Sequence, residues 1–286
     1  MKANREHQKG KLARKNRKIN SKEAENDTKI FPIPKSHFKL NNAVMIAGFP
    51  SPGMIGSIVC NQLIEQLDLH QIAYIHSKYI TPGVIWVGGK IRHPFRIYSN
   101  KHNSVCLLIC DVPVIYDGMD SVSGAISSWC LKNKVNKVFI VSGIYPDNMN
   151  PFPDNLTKRK AFVIENDGNF KSRVSNIVEN SNAKSVSFAF IGGLPGQVLA
   201  NCVVRFMHCV AILVPTFSFT PDPEGAALVI EALGDLIPNA KVSTLELKQE
   251  ADKIKAQLSE LGKLQHRLSR NSSENAIRDE TEQIYK

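Results

Sequence analysis

The residues of this chain that could carry chemistry are scattered carboxylates, histidines, six cysteines and two glycine-rich turns. Asp111, Asp117, Asp120, Asp147, Asp154 and Asp222 stand near expected strand ends or helix starts. A carboxylate there could serve as acid, base or metal ligand, but helix capping and turn formation use the same residue at the same places. His70, His76, His93, His102 and His208 show no H-E-x-x-H pattern or other paired spacing, so no metal set is expected. Cys60, Cys106, Cys110, Cys130, Cys202 and Cys209 lie in apolar segments without a C-x-x-C pair and read as reduced core thiols. Cys202 and His208 would share one helix face only by accident. No nucleophile, base and orienting group emerge together, so neither a catalytic residue nor a cofactor is expected.

The glycine-rich turns have the right place for a phosphate cradle and the wrong composition. Gly48-Phe49-Pro50-Ser51-Pro52-Gly53-Met54-Ile55-Gly56 joins an expected strand to an expected helix, and Gly192-Gly193-Leu194-Pro195-Gly196 does the same further on. A phosphate loop needs free backbone amides and a lysine followed by a hydroxyl residue. Here the prolines remove amides and no such lysine follows. Tight turning and close packing account for these glycines. A different chemistry sits at the end of the sequence, where Ile284-Tyr285-Lys286 joins an apolar residue, an amphipathic ring and a terminal carboxylate. Such an ending can enter a partner's pocket, burying area with few rotatable bonds while the carboxylate pairs with a lysine or arginine.

The elements that must position these groups follow from hydrophobic pattern. Continuous apolar runs at 43–48, 105–109, 138–141, 186–191 and 210–214 predict buried strands. Helical spacing follows the first run through Ile55, Ile58, Val59, Leu63, Ile64 and Leu67, and recurs from Val122 to Trp129, near 197–208, and from Pro223 to about Ile237. Asp222 is placed to N-cap that last helix, with proline at its first position. Between the first helix and residue 105, short runs at 72–75, 84–87 and 95–98 with Gly83, Gly88 and Gly89 predict hairpins. Strands alternating with helices predict an α/β fold, a mostly parallel mixed sheet covered on both faces. From Leu247, the positions Ala251, Ile254, Leu258, Leu261, Gln265 and Leu268 follow at spacings of four and three, the seam of a C-terminal coiled-coil helix.

Charge divides the chain further. The net charge is +10, and residues 1–22 hold nine Lys/Arg against one acid, leaving about +2 on the rest. With few apolar residues to offset ordering entropy, residues 1–35 are expected to be a disordered basic arm that meets nucleic acid only nonspecifically, through residues 1–22. The expected order is then an α/β domain over 36–242, the heptad helix over 243–270 and a flexible tail over 271–286. No apolar run approaches the eighteen or so residues of a membrane span and the amino terminus is not signal-like, so a soluble cytoplasmic protein is expected.

Taken in order, Ala47 to Gly56, Val141-Ser142-Gly143-Ile144-Tyr145-Pro146, Gly192 to Gly196, and Pro221-Asp222-Pro223-Glu224-Gly225-Ala226-Ala227 resemble the archaeal branch of the proteasome assembly chaperone 2 family. The resemblance spans roughly residues 38–262. It implies a three-layer α/β/α domain similar to purine nucleoside phosphorylase and self-association, and the heptad spacing makes Leu247, Ile254, Leu258, Leu261 and Leu268 the expected seam of a homo-oligomer. It also implies turn motifs at Gly48, Pro50, Gly53, Gly56, Gly143, Gly193, Pro195, Gly196, Asp222 and Pro223 that are structural. Family members ending in hydrophobic-tyrosine-any look like assembly chaperones or ATP-independent activators that dock the tail between α subunits of the core particle. Ile284, Tyr285 and Lys286 would carry that contact. The alternative is a small-molecule or nucleotide enzyme, such as an ATP-grasp-type carboxylate-amine ligase, or a nucleoside-binding protein.

Overall fold

The computed structural model describes residues 27–34, 38–40, 42–87, 89–150, 159–166, 183–184, 188–216, 220–237, 242–249 and 251. The chain forms two compact units, Met1–Ser243 and Thr244–Lys286. The first unit contains strands β1 (Thr28–Pro32), β2 (Ala43–Gly48), β3 (His70–Ser77), β4 (Ile85–Val87), β5 (Lys90–Arg92), β6 (Phe95–Ser99) and β7 (Val105–Cys110). It continues with β8 (Val135–Ile144), β9 (Met149–Asn150), β10 (Ala161–Glu165), β11 (Ala183–Lys184), β12 (Phe188–Ala189) and β13 (His208–Pro215). Its helices are α1 (Ile55–Gln66), α2 (Met119–Lys132), α3 (Gly193–Val204) and α4 (Pro223–Leu236).

Nine strands form one sheet in the order β1-β3-β6-β7-β2-β8-β13-β10-β11. The four central strands β7, β2, β8 and β13 are parallel. β1, β3 and β6 extend the sheet antiparallel on one side, and β10 pairs antiparallel with β13 on the other. The sheet is mixed as expected, with its main parallel part at the centre and a second, short parallel pair, β10–β11, at one edge. Central strands show no polar alternation because both faces are covered: all six residues of β7 are buried. Met45 and Ala47 of β2, Cys106 and Leu108 of β7, and Val138 and Ile140 of β8 share a core with Val122, Ile126 and Cys130 of α2 and Leu194, Val198 and Cys202 of α3. Ile46, Leu107 and Ile109, one step out of phase, turn to the opposite face, where α1 and α4 bury Ile55, Val59, Leu63, Val229, Ile230 and Leu233. Each such side chain contributes about 1.5–3 kcal/mol relative to exposure.

Four expectations are corrected. β1 pairs in register with β3 inside the segment expected to be a disordered arm, so residues 28–32 belong to the sheet. Of the buried strand expected at 186–191, the described residues form the short β12, which pairs with β9 in a separate ribbon, and Phe188 and Phe190 are exposed. Only Ala189 and Ile191 among its described residues pack on a core, against Ile144, Phe162, Ala211 and Leu213. The helix expected to reach His208 ends at Val204, Phe206 takes a left-handed φ of 54°, and His208 opens β13, so Cys202 and His208 do not share a helix face. Finally, β10 was not expected from its short Ala-Phe-Val-Ile-Glu run.

In the second unit, residues 245–249 are helical and Leu247 and Ala251 are buried. Ile254, Leu258, Leu261, Gln265, Leu268 and the Ile284-Tyr285-Lys286 ending lie outside the described residues, as do residues 1–22 and Asp154. No helix among the described residues is long and apolar enough to cross a membrane.

Candidate functional site

Three of the turns singled out in the sequence converge beyond the carboxyl ends of the parallel strands. β2 connects through α1 to β3 on one side of the sheet, whereas β7 connects through α2 to β8 on the other. This reversal is the topological switch point at which open α/β sheets place ligands. The opening there is a cleft of about 320 Å³. Its walls come from Pro50, Ser51 and Pro52 after β2, Gly143, Tyr145 and Asn148 at the end of β8, and Gly193 and Pro195 at the start of α3.

Ser51 ties two of these turns together. Its Oγ accepts from the N–H of Gly56 at 3.3 Å and from the N–H of Gly143 at 3.4 Å. Glycine is needed where backbones meet. A Cβ on Gly143 would lie 2.1 Å from the carbonyl oxygen of Pro52, and one on Gly56 would lie 2.5 Å from that of Phe49. Gly53 has φ 67° and faces Asp222, whose N–H donates to the Gly53 carbonyl at 2.9 Å. Asp222 Oδ1 accepts from Gly225 N–H at 2.9 Å and so caps α4, with Pro223 in its first turn. Pro50, Gly143, Gly193 and Pro195 therefore line the cleft, while Gly48, Gly53, Gly56, Gly196, Asp222 and Pro223 build the packing behind it.

The lining is poor in chemistry. Four of the described lining residues are prolines, Pro50, Pro52, Pro113 and Pro195, which offer no N–H to a phosphate, and none is charged. The flagged aspartates are dispersed. Asp120 Oδ1 accepts from Gln197 Nε2 at 3.3 Å across the α2–α3 seam, Asp117 sits in the turn before α2, and Asp147 is exposed in the turn after β8. His76 and His93 have ring centroids 6.3 Å apart, and partial burial holds His93 below the usual imidazole range. No group of three or more His, Cys, Asp or Glu that could hold a metal occurs among the described residues. The cysteines are all free and buried, and burial pushes the Cys110 and Cys130 thiols up to about 12, which removes their nucleophilic thiolate at neutral pH.

Two buried ion pairs escaped the sequence reading. Arg96, 1% exposed within β6, donates from Nη1 to the His93 carbonyl at 2.6 Å and from Nη2 to Asp111 Oδ2 at 2.7 Å. Burial raises the Asp111 carboxyl above its ordinary range despite the pull of Arg96. Arg159, just before β10, grips Asp222 through both terminal nitrogens and reaches Glu224 Oε2 at 3.3 Å. Burial opposes ionisation of Asp222, but Arg159 and the Gly225 N–H outweigh it and hold the carboxyl below its usual range. Asp111 and Asp222 were visible in the sequence as turn carboxylates. Their arginine partners, 15 and 63 residues away, were not.

Comparisons with known proteins agree with this architecture. An uncharacterized protein of Methanocaldococcus jannaschii is 27% identical over 230 residues, covering 80% of this chain and 89% of that one. Among solved structures, Pyrococcus furiosus PbaA, described as an archaeal homolog of proteasome-assembly chaperone, superposes with a TM-score of 0.70 at 23% identity, over 87% of this chain and 97% of its own. Pyrococcus furiosus PbaB, described as an archaeal proteasome activator, gives 0.71 at 15% identity, over 82% and 99%. At these identities the two structures speak for the fold. The model of the PAC2 family matches residues 45–262, a span that contains every cleft-lining turn and the capped start of α4. With its motifs in order around one switch-point cleft and the match covering well over half of its length, the chain belongs to the PAC2 family.

Proposed function

We propose that this protein binds the proteasome core particle as an assembly chaperone or ATP-independent activator of the archaeal branch, with Ile284, Tyr285 and the Lys286 carboxylate as its anchor. The observation that carries the reading is the family match over residues 45–262, supported by the fold shared with a chaperone homolog and a proteasome activator. Docking between α subunits would use the tail as a buried plug, while the domain, of purine nucleoside phosphorylase-like architecture, presents it. A pull-down with a core particle tests this in the absence of ATP. The full chain should be retained and a chain lacking residues 284–286 should not, and equal retention of both would refute tail docking.

The reading is non-enzymatic and cytoplasmic, and the uncharged, proline-rich lining of the described cleft supports the first of these. ATP, nucleosides and inorganic phosphate should leave the melting temperature unchanged, whereas a true ligand at a hundred times its Kd would stabilise the fold by about 2.7 kcal/mol. A reproducible shift that disappears in Tyr145→Ala would favour the enzyme reading instead. The heptad helix is proposed to hold a homo-oligomer together. Leu258→Asp with Leu261→Asp places unpaired charge in that seam at several kcal/mol per ion, so sedimentation should report smaller particles. An unchanged mass would mean that the helix does not pair between subunits. The basic residues 1–22 are proposed to be dispensable for docking and to touch nucleic acid only through salt-sensitive contacts.

A further inference from the structure

The β4–β5 ribbon is a surface that none of the above employs. It is a two-stranded sheet of its own, pairing Ile85 with Arg92, Trp86 with Ile91 and Val87 with Lys90. Two strands alone are marginal in water. Its inner side is held by half-buried Ile85 and by Arg92 Nη1, which donates to Tyr98 Oη at 3.2 Å. Its outer side shows Trp86 at 70% and Ile91 at 69% exposure, with Val84 beside them at 64%.

The two edges of the ribbon differ in a way that selects an occupant. Val87 and Lys90 close the ribbon as the hydrogen-bonded pair, so the N–H and C=O of Trp86 point away from β5 toward the open edge of β4. That edge is Ile85-Trp86-Val87, without charge, proline or bulge, the guards that normally keep a strand edge unpaired. The β5 edge is guarded: two copies meeting there would set Lys90 against Arg92 of the other copy. A β4 edge meets no such penalty with an identical strand. About a two-fold axis at Trp86, uncharged residues oppose uncharged residues and the two indoles become cross-strand neighbours, a pairing that favours association.

From this asymmetry we infer that β4 is a self-association edge, which joins a second copy of this chain antiparallel through Trp86 into a four-stranded sheet. The geometry makes the test selective. Hydrogen-bonded partners in an antiparallel pair have Cα atoms about 5.5 Å apart, within disulfide range, whereas residue 91 of the two copies would be three strand spacings or about 14 Å apart. The purified full chain carrying Trp86→Cys or Ile91→Cys is oxidised mildly and run on a non-reducing gel, the six native cysteines being buried. Trp86→Cys should give on the order of tenfold more reducible dimer than Ile91→Cys. No dimer from Trp86→Cys, or equal dimer from both, overturns the proposal. As a measurement free of substitution, the Trp86 amide of the unaltered chain should exchange more slowly as concentration rises, and concentration-independent exchange would also overturn it.

Discussion

Tyr285→Ala should abolish co-sedimentation with a proteasome core particle while leaving the α/β domain folded and its oligomeric state unchanged. A tyrosine ring buries about 150–250 Å² in a pocket, and at about 25 cal/mol per Å² its removal takes several kcal/mol from each tail. A single tail of three residues is a weak ligand. Several tails on one oligomer gain by effective concentration, on the order of 10² or more, and truncating the ring in every copy removes that gain as well. Adding one residue after Lys286 tests the carboxylate separately, because it displaces the charge by about 3.5 Å from any cation that receives it. Both variants should fail to sediment with the particle at concentrations where the unaltered chain is fully bound. Retention of either variant at the level of the unaltered chain would refute the tail as the anchor.

The parts of this molecule that were legible in the sequence are those with a local signature. β2, β7 and β13 are continuous apolar runs because helices cover both faces of the central sheet, and the start of α4 announces itself through Asp222-Pro223. The cleft was legible in pieces: its three turns could be named, but nothing in their spacing says that strands β2 and β8 are neighbours and bring Ser51 to the N–H of Gly143. β1 was hidden because Thr-Lys-Ile-Phe-Pro follows a basic segment and owes its place to pairing with β3, about fifty residues away in sequence. At 188–191 the opposite happened: in a run that read as a core strand, Phe188 and Phe190 are exposed, and Phe190 lines the rim of the cleft. Arg96 shows the same limit from another side. A charged residue inside a strand of five buried positions contradicts the hydrophobic pattern, and only the tertiary structure supplies the carboxylate that permits it.

Arg159→Met should destabilise the domain by about 3–5 kcal/mol at neutral pH, the usual cost of removing one partner from a buried ion pair. The side chains of Arg159 and Asp222 are only 12% and 10% exposed, so water cannot substitute for the lost guanidinium. The loss would spread along backbone connections: Asp222 caps α4, its N–H holds the Gly53 carbonyl, and Arg159 Nη1 also reaches the Pro215 carbonyl at 3.4 Å at the end of β13. Acid gives the prediction its sign. Because the Asp222 carboxyl is held below its ordinary range in the folded protein, its contribution is fully present above the unfolded carboxylate pKa of about 3.9 and fades as pH falls through the lower folded value. In Arg159→Met the same buried carboxylate lacks its counter-charge and is relieved by protonation. The stability gap between the two proteins, measured by urea denaturation, should therefore be widest near pH 7, begin to narrow as the variant's carboxyl, raised by burial without its counter-charge, takes up a proton above the unfolded value of about 3.9, and narrow further as pH falls through the lower value of the unaltered protein. A gap that stays constant between pH 7 and pH 3 would show that Arg159 contributes through packing of its methylene stem, and that the charge on Asp222 does not tie the start of α4 to the glycine turn beside the cleft.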